Sequence, residues 1–167
     1  MLERGEVATL LEWLDAIPGE VVDTRVRLAL LRAWALAHAG RLEVVDSVLQ
    51  RVEGHLSAAN GSTDGDSAVR TEKVVDKTLG LRGEVAAVRA RVAAINEDAR
   101  AVTEFSREAL LWLPRENSRL RGNVALDMAH AYNLAGEVWE ADRAFAEAAV
   151  ASEAAGNLRS TLIALWY

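Results

Sequence analysis

Few residues of this 167-residue chain are spaced for catalysis or metal binding. The histidines His38, His55 and His130 fall on different predicted helices, without the pair four residues apart that binds zinc on one helix face. No cysteine is present to supply a thiolate, and no G-x-S-x-G elbow exposes a reactive serine. Carboxylate pairs such as Glu137 and Glu140 are typical of solvated helix faces. We therefore expect no enzymatic activity and no metal site, which leaves noncovalent binding.

The charge of the chain is acidic, because 25 Asp and Glu residues outnumber 19 Lys and Arg residues for a formal net charge of -6. Nucleic-acid binding needs a clustered basic face, so none is expected of this chain by itself. The densest basic cluster, Arg115, Arg119 and Arg121, fits a solvated turn or a contact with an acidic partner. The sequence has no run of about 18 apolar residues and no signal-peptide pattern. It therefore predicts a soluble, cytoplasmic chain without membrane contact.

Residues 124–156 have the pattern of two helices joined at Gly136. Each helix carries one apolar stripe that mixes small and large residues. The first stripe is Met128, Ala129 and Tyr132, and the second is Ala141, Phe145 and Ala148. Small residues let two helices cross closely, and the larger ones fill the space beside the crossing. The spacing resembles that of a tetratricopeptide repeat (TPR), W-x2-L-G-x2-Y followed by A-x3-F, and predicts further copies on both sides.

Copies of this hairpin can be aligned along the chain. Placing Gly40 over Gly136 puts Ala33 over Ala129, and Ala90 takes the same crossing position in a third copy. These crossing residues are about 57 and about 39 residues apart, and a segment rich in Gly, Ser and Asp lengthens the first interval. The sequence therefore predicts an all-α, right-handed, TPR-like solenoid of helix hairpins with a period of about 39–40 residues.

The predicted boundaries describe one TPR-like domain over residues 1–167. The hairpins are 24–56, 79–113 and 117–155, the flanking helices are 6–17 and 157–167, and a flexible loop covers 57–70. Thr24 is the expected N-cap of the first hairpin, and Asn117 or Ser118 that of the last. Glu97 stands where the other hairpins have glycine, so a left-handed turn is expected at Asn96. The apolar end of the last helix favours a fragment of a larger protein, or a chain that pairs with something.

Three stretches carry a resemblance to a known family. They are TLLEWLDAIP (9–18), LALLRAWALAHAGRLEVVDSVL (28–49), and residues 81–157, which contain EDARAVTEFSREALLWLP (97–114) and GNVALDMAHAYNLAGEVWEADRAFAEAA (122–149). Their order resembles the helical-repeat region of MalT-like regulators, large ATP-dependent transcriptional activators of the LuxR type. The resemblance implies a nucleotide-binding module before the repeats, a helix-turn-helix domain after them, and repeats that sense an inducer or an inhibitory protein. No G-x-x-x-x-G-K-[ST] loop occurs here, so no cofactor is expected in this chain and ATP only in a missing N-terminal module.

A binding site is expected on the concave surface, which the first helix of each hairpin lines in a TPR stack. The candidate residues are Arg27, Trp34, His38, Glu84, Arg91, Asn123, His130 and Asn133. An aromatic ring, a guanidinium and polar side chains on one groove suit a sugar, an anion or a peptide segment. The alternative is a solvated face with Trp34 partly in the core.

The predicted function is noncatalytic sensing. Binding of a small-molecule inducer, or of a protein or peptide partner, would shift a conformational equilibrium in a larger regulator. One alternative is a stand-alone TPR scaffold for protein–protein interaction, and another is a module that homodimerises through its terminal helices around 10–17 and 162–167. A reading frame that continues into a phosphate loop upstream and a helix-turn-helix downstream would distinguish the regulator from the scaffold.

Overall fold

The computed structural model describes the backbone of residues 4–61 and 68–167, and the side chains of residues 6–22, 24–58 and 77–167. Over these ranges the chain consists of helices and the turns between them. The helices are α1 (Arg4–Asp15), α2 (Gly19–Thr24), α3 (Val26–His38), α4 (Leu42–Gly61), α5 (Ala68–Ile95), α6 (Ala99–Trp112), α7 (Ser118–Ala135), α8 (Val138–Ala154) and α9 (Leu158–Trp166). The predicted all-α, TPR-like fold is confirmed.

The chain divides into two compact units, Met1–Thr78 and Leu79–Tyr167. In the first unit, α3 and α4 form a hairpin on which α1 and α2 pack. Its core contains fully buried Leu30, Leu36 and Leu49. Arg32 on α3 donates a hydrogen bond to Asp15 at the end of α1, with an N–O distance of 2.8 Å. An ion pair thus links the α3–α4 hairpin to the helix that precedes it.

The entry into this hairpin differs from the prediction. Thr24 is the last residue of the short helix α2, where its hydroxyl donates to the backbone oxygen of Glu20 at 2.8 Å. It therefore does not cap α3, which begins at Val26 after Arg25. A threonine hydroxyl can satisfy a carbonyl of the preceding turn as well as an amide of the following one, and here the former occurs.

The predicted loop over residues 57–70 is shorter in the structure. Helix α4 continues to Gly61 and α5 starts at Ala68, so both ends of the predicted loop are helical. Residues 62–67 lie outside the described residues. The extension of α4 passes through Ala58, and alanine is the strongest helix former, which outweighs the polar character of its neighbours.

The second unit contains the later part of α5 together with α6, α7, α8 and α9. Helices α7 and α8 share its most extensive interface, and α9 packs mainly on α8. Ala129 and Ala148 are completely buried at the α7–α8 crossing, with Tyr132 and Phe145 in the same core cluster. Helices α5 and α6 also approach closely, because a Cβ at Gly83 would lie 2.7 Å from the backbone nitrogen of Leu113.

Four turns end their helices in the same way. The left-handed residue is Gly40, Glu97, Gly136 or Gly156, with φ of 74°, 58°, 77° and 66° respectively. After each of these residues, the next backbone N–H donates to a carbonyl five residues earlier. After Gly136, for example, the N–H of Glu137 donates to the carbonyl oxygen of Tyr132 at 2.9 Å. This is the Schellman arrangement. The expectation that Asn96 takes the left-handed conformation was wrong, because Glu97 takes it.

Candidate functional site

Polar residues of α5 and α7 meet on one face of the second unit. The guanidinium of Arg91 on α5 pairs with the carboxylate of Asp127 on α7 at an N–O distance of 3.0 Å. The Asp127 side chain is 6% exposed and that of Arg91 is 19% exposed, so this ion pair is largely removed from water. Within the part of the chain whose side chains are described, the buried Nε of Arg91 has no partner. The guanidinium thus keeps a donor for another group.

The electrostatics of this cluster follow from burial. Burial raises the pKa of Asp127 from 3.8 to about 6, and the positive charge of Arg91 opposes the rise. Burial also lowers the pKa of His130 below 6.5, and Arg91 lowers it further. At neutral pH the cluster therefore contains an ionised carboxylate, a guanidinium and a neutral imidazole.

Aromatic rings lie beside the ion pair. The imidazole of His130 on α7 forms a T-shaped pair with each of two rings. Its centroid lies 5.3 Å from that of Phe145 and 5.0 Å from that of Tyr167. Phe145 and Tyr167 are stacked, with centroids 4.7 Å apart and planes 4° from parallel. Edge-to-face contacts of this kind are favourable between aromatic rings. The face of the second unit thus combines a charged pair with an aromatic group, and we call Arg91, Asp127, His130 and Tyr167 the α5–α7 cluster.

The predicted site residues fall into two groups. In the second unit Arg91 and His130 are close enough to interact electrostatically, Glu84 and Asn123 are half-buried, and Asn133 is exposed. In the first unit Trp34 and His38 are neighbours, with ring centroids 5.7 Å apart, and Arg27 is exposed. The two groups belong to different units, so a single eight-residue surface stays a prediction. Trp34 is half-buried, which does not decide between the two interpretations offered for it.

Two members of the α5–α7 cluster, Asp127 and Tyr167, were not among the predicted site residues. Asp127 interrupts the apolar run VALDMAHAY, and a lone carboxylate on a buried stripe indicates a cationic partner nearby. That signal was available. The position of Tyr167 beside His130 depends on how α9 packs, which no local pattern specifies.

Noncovalent binding is the chemistry that the arrangement supports. Guanidinium N–H groups donate to anions or hydroxyls, a carboxylate accepts from hydroxyl or ammonium groups, and exposed rings stack on flat or apolar surfaces. Among the described residues, no group of three or more His, Asp or Glu side chains could hold a metal ion. No helix in the described ranges is long and apolar enough to cross a membrane.

Hairpins with small crossing residues, equivalent left-handed turns and polar side chains along their first helices define a TPR-type helical-repeat module. The chain belongs to the family described as the MalT-like TPR region, whose model matches residues 83–167. It is also 32% identical over 115 residues to the HTH-type transcriptional regulator MalT of Serratia proteamaculans (strain 568), covering 68% of this chain. The chain spans 11% of that relative's length. No solved structure matches it.

Proposed function

We propose that this chain is the sensing region of a MalT-like, LuxR-type transcriptional regulator in the cytoplasm. It acts without catalysis, by binding an inducer or a partner protein and shifting the regulator between conformations. Family membership supports the proposal that the chain is part of a transcriptional regulator, since the similar Serratia protein is named as an HTH-type transcriptional regulator. The sensing role rests on the α5–α7 cluster of the second unit.

The observation that carries the proposal is the Arg91–Asp127 pair with His130 beside it. A buried ion pair contributes little net stability compared with well-packed apolar residues, so its presence calls for another explanation. His130 beside the pair contacts the ring of Tyr167, and Arg91 retains a buried donor without a partner in the described part of the chain. A small polar molecule with hydroxyl or anionic groups, or a peptide segment, matches these donors and acceptors.

Thermal unfolding tests this function. The 167-residue chain is heated with a panel of sugars, nucleotides and small metabolites. A ligand at about 100 times its dissociation constant adds roughly 2.7 kcal/mol, a shift of several degrees for a chain of this size. We expect such a shift from at least one compound, and we expect His130→Ala to abolish it.

The matched control is His55→Ala, since His55 is an exposed histidine of the first unit, and among the described residues its ring nitrogen bonds only within its own helix, to Arg51 O at 2.8 Å. The ligand shift should survive this change. A shift that persists in His130→Ala and Arg91→Gln would place the ligand elsewhere and contradict the assigned site. If no compound shifts the transition, none of the tested compounds is the inducer, and the proposed ligand becomes a protein partner.

A further inference from the structure

A groove lies between α6 and α7 of the second unit, and its lining residues do not include those of the α5–α7 cluster. Its volume is about 780 Å³. Its lining includes Arg100, Glu104, Arg107, Tyr132 and Glu137. A volume of this size falls within the range of sites that bind ligands.

The groove contains one well-fixed polar group. Tyr132 is only 7% exposed, and its hydroxyl oxygen accepts a hydrogen bond from Arg107 at 3.0 Å. The hydroxyl proton of Tyr132 has no acceptor among the described residues. A buried phenol that lines a groove with its donor unused, beside a guanidinium, is arranged to bind a carboxylate with two different donors.

The other charged residues of the groove are not engaged with one another. Arg100, Glu104 and Glu137 have side chains that form neither an ion pair nor a hydrogen bond within the described part of the chain. Along α6 the charges alternate at Arg100, Glu104 and Arg107, which are one turn apart and therefore share one helix face. An occupant that carries both signs of charge would be complementary to this surface.

The groove also admits a main chain. Ala99, Ala131 and Ala135 line it with methyl groups only, so a backbone can approach both helices. Arg100 and Arg107 are seven residues apart on α6, roughly 10 Å at 1.5 Å per residue. An extended peptide covers that distance with about three residues. A free anion would satisfy Arg107 and Tyr132 but leave both glutamates without a partner.

We propose that the α6–α7 groove binds a short extended peptide segment of a partner protein, with a carboxylate at Arg107 and Tyr132 and a basic side chain at Glu104 or Glu137. This proposal does not depend on the site proposed at the α5–α7 cluster, because no residue of that cluster lines the groove. One can fail while the other stands.

The test is an NMR titration of the 167-residue chain with acetyl-Lys-Ala-Glu-amide, and with the same peptide carrying Gln in place of Glu. We expect the Glu peptide to shift the backbone resonances of Thr103, Tyr132 and Glu137, and the Gln peptide to bind about tenfold more weakly because a charge-assisted bond is lost. A third peptide, acetyl-Lys-Ala-Ala with a free C-terminus, distinguishes the sources of the carboxylate. If it competes with the Glu peptide, the groove accepts a chain terminus as well as a side chain.

Two variants examine the carboxylate site. Arg107→Gln and Tyr132→Phe should each weaken binding of the Glu peptide about tenfold and weaken binding of the Gln peptide less, because a neutral amide oxygen is a poorer acceptor than a carboxylate. Arg143→Gln, an exposed arginine of α8 outside the groove, should have no effect. Equal affinity for the Glu and Gln peptides, resonance shifts confined to other residues, or the absence of binding at about 10 mM peptide would overturn the proposal.

Discussion

Asp127 is a carboxylate at the centre of α7, and its environment determines how the ion pair responds to pH. Only 6% of its side chain is exposed, and Arg91 is its partner. The folded-state pKa of about 6 lies above the value of 3.8 for an exposed aspartate. The folded chain therefore binds the Asp127 proton more tightly than the unfolded chain does. The favourable contribution is full below pH 3.8 and is lost as the pH rises through 6.

The first prediction concerns Asp127→Asn, which keeps the shape of the side chain and removes its titration. The free energy of unfolding of the unmodified chain, relative to that of the variant, should fall as the pH rises from about 4 to about 7. The fall should be at most about 3 kcal/mol, from a pKa difference of about two units. Urea denaturation of both proteins across this range measures it.

His130 provides the internal check on that experiment. Its pKa is lowered on folding, so its contribution is present above the ordinary value of 6.5 and lost as the pH falls through the folded pKa, opposite in sign to Asp127. Both proteins carry His130, so its effect cancels in the difference. A difference that does not vary with pH would show that Asp127 is not buried as described.

The candidate site was predictable from the sequence only where helical register determines it. Arg91 and His130 were placed on the first-helix face by alignment of the crossing residues Ala90 and Ala129, each of which directly precedes one of them. Asp127 was missed because the same helical register places it on the buried side of α7. A charged side chain is not expected there unless another helix supplies a partner. Which partner faces it depends on the packing of α5 against α7.

At the scale of the elements, the turns are the most regular feature of the chain. Three are made by glycine, for which the left-handed conformation has no steric cost, whereas Glu97 adopts φ 58° with a side chain in place. The Glu97 side chain is exposed and makes no hydrogen bond or ion pair in the described part of the chain. Its conformation is therefore imposed by the turn and not stabilised by its own contacts.

The second prediction is that Glu97→Gly stabilises the chain. Relief of the left-handed strain exceeds the entropy that a glycine adds to the unfolded chain, for a net gain of about 0.5–1 kcal/mol. Gly136→Ala is the matched opposite: it adds a side chain at φ 77°, where no atom lies within 4 Å of the new Cβ, so the backbone conformation alone costs about 1 kcal/mol. Denaturation midpoints of the two variants should move in opposite directions, and a destabilised Glu97→Gly would refute the argument.

The elements themselves were largely predictable, and the misses have local causes. The apolar stripes at helical spacing indicated the hairpins, and Gly40 and Gly136 indicated where their first helices end. The short helix α2 was missed because Pro18 and Gly19 are signals for a turn, although proline also fits just before a first helical turn. The helix at the beginning of the predicted loop was missed because the loop was predicted from its Gly, Ser and Asp content, and the helical preference of Ala58 was not considered.

At the scale of the whole molecule, the second compact unit, Leu79–Tyr167, nearly coincides with the residues 83–167 that match the family. Two core clusters lie entirely within it. One surrounds Ala129 and Phe145 at the α7–α8 crossing, and the other joins Ala93, Val102 and Ala131 across α5, α6 and α7. This unit therefore has the apolar contacts that a separate folding unit requires.

The third prediction is that residues 79–167 fold without the rest of the chain. Circular dichroism should show a helical spectrum and a single cooperative thermal transition. The control is residues 98–167, which lacks α5, so that Val102 and Ala131 lose the cover of Ala93. It should unfold at a lower temperature and with less cooperativity. If residues 79–167 unfold without a transition while the 167-residue chain unfolds cooperatively, the second unit depends on the first.

The Schellman turns also affect how the chain folds. Each is closed by hydrogen bonds to the helix that it ends, as in Arg41 N–H to Leu36 O at 3.0 Å. The length of a helix is thereby set before the helix has found its neighbour. Pairing then needs only a short chain closure between consecutive helices, and proteins dominated by such local contacts fold in microseconds to milliseconds. A repeat built in this way spends little time with its apolar stripes open to other chains.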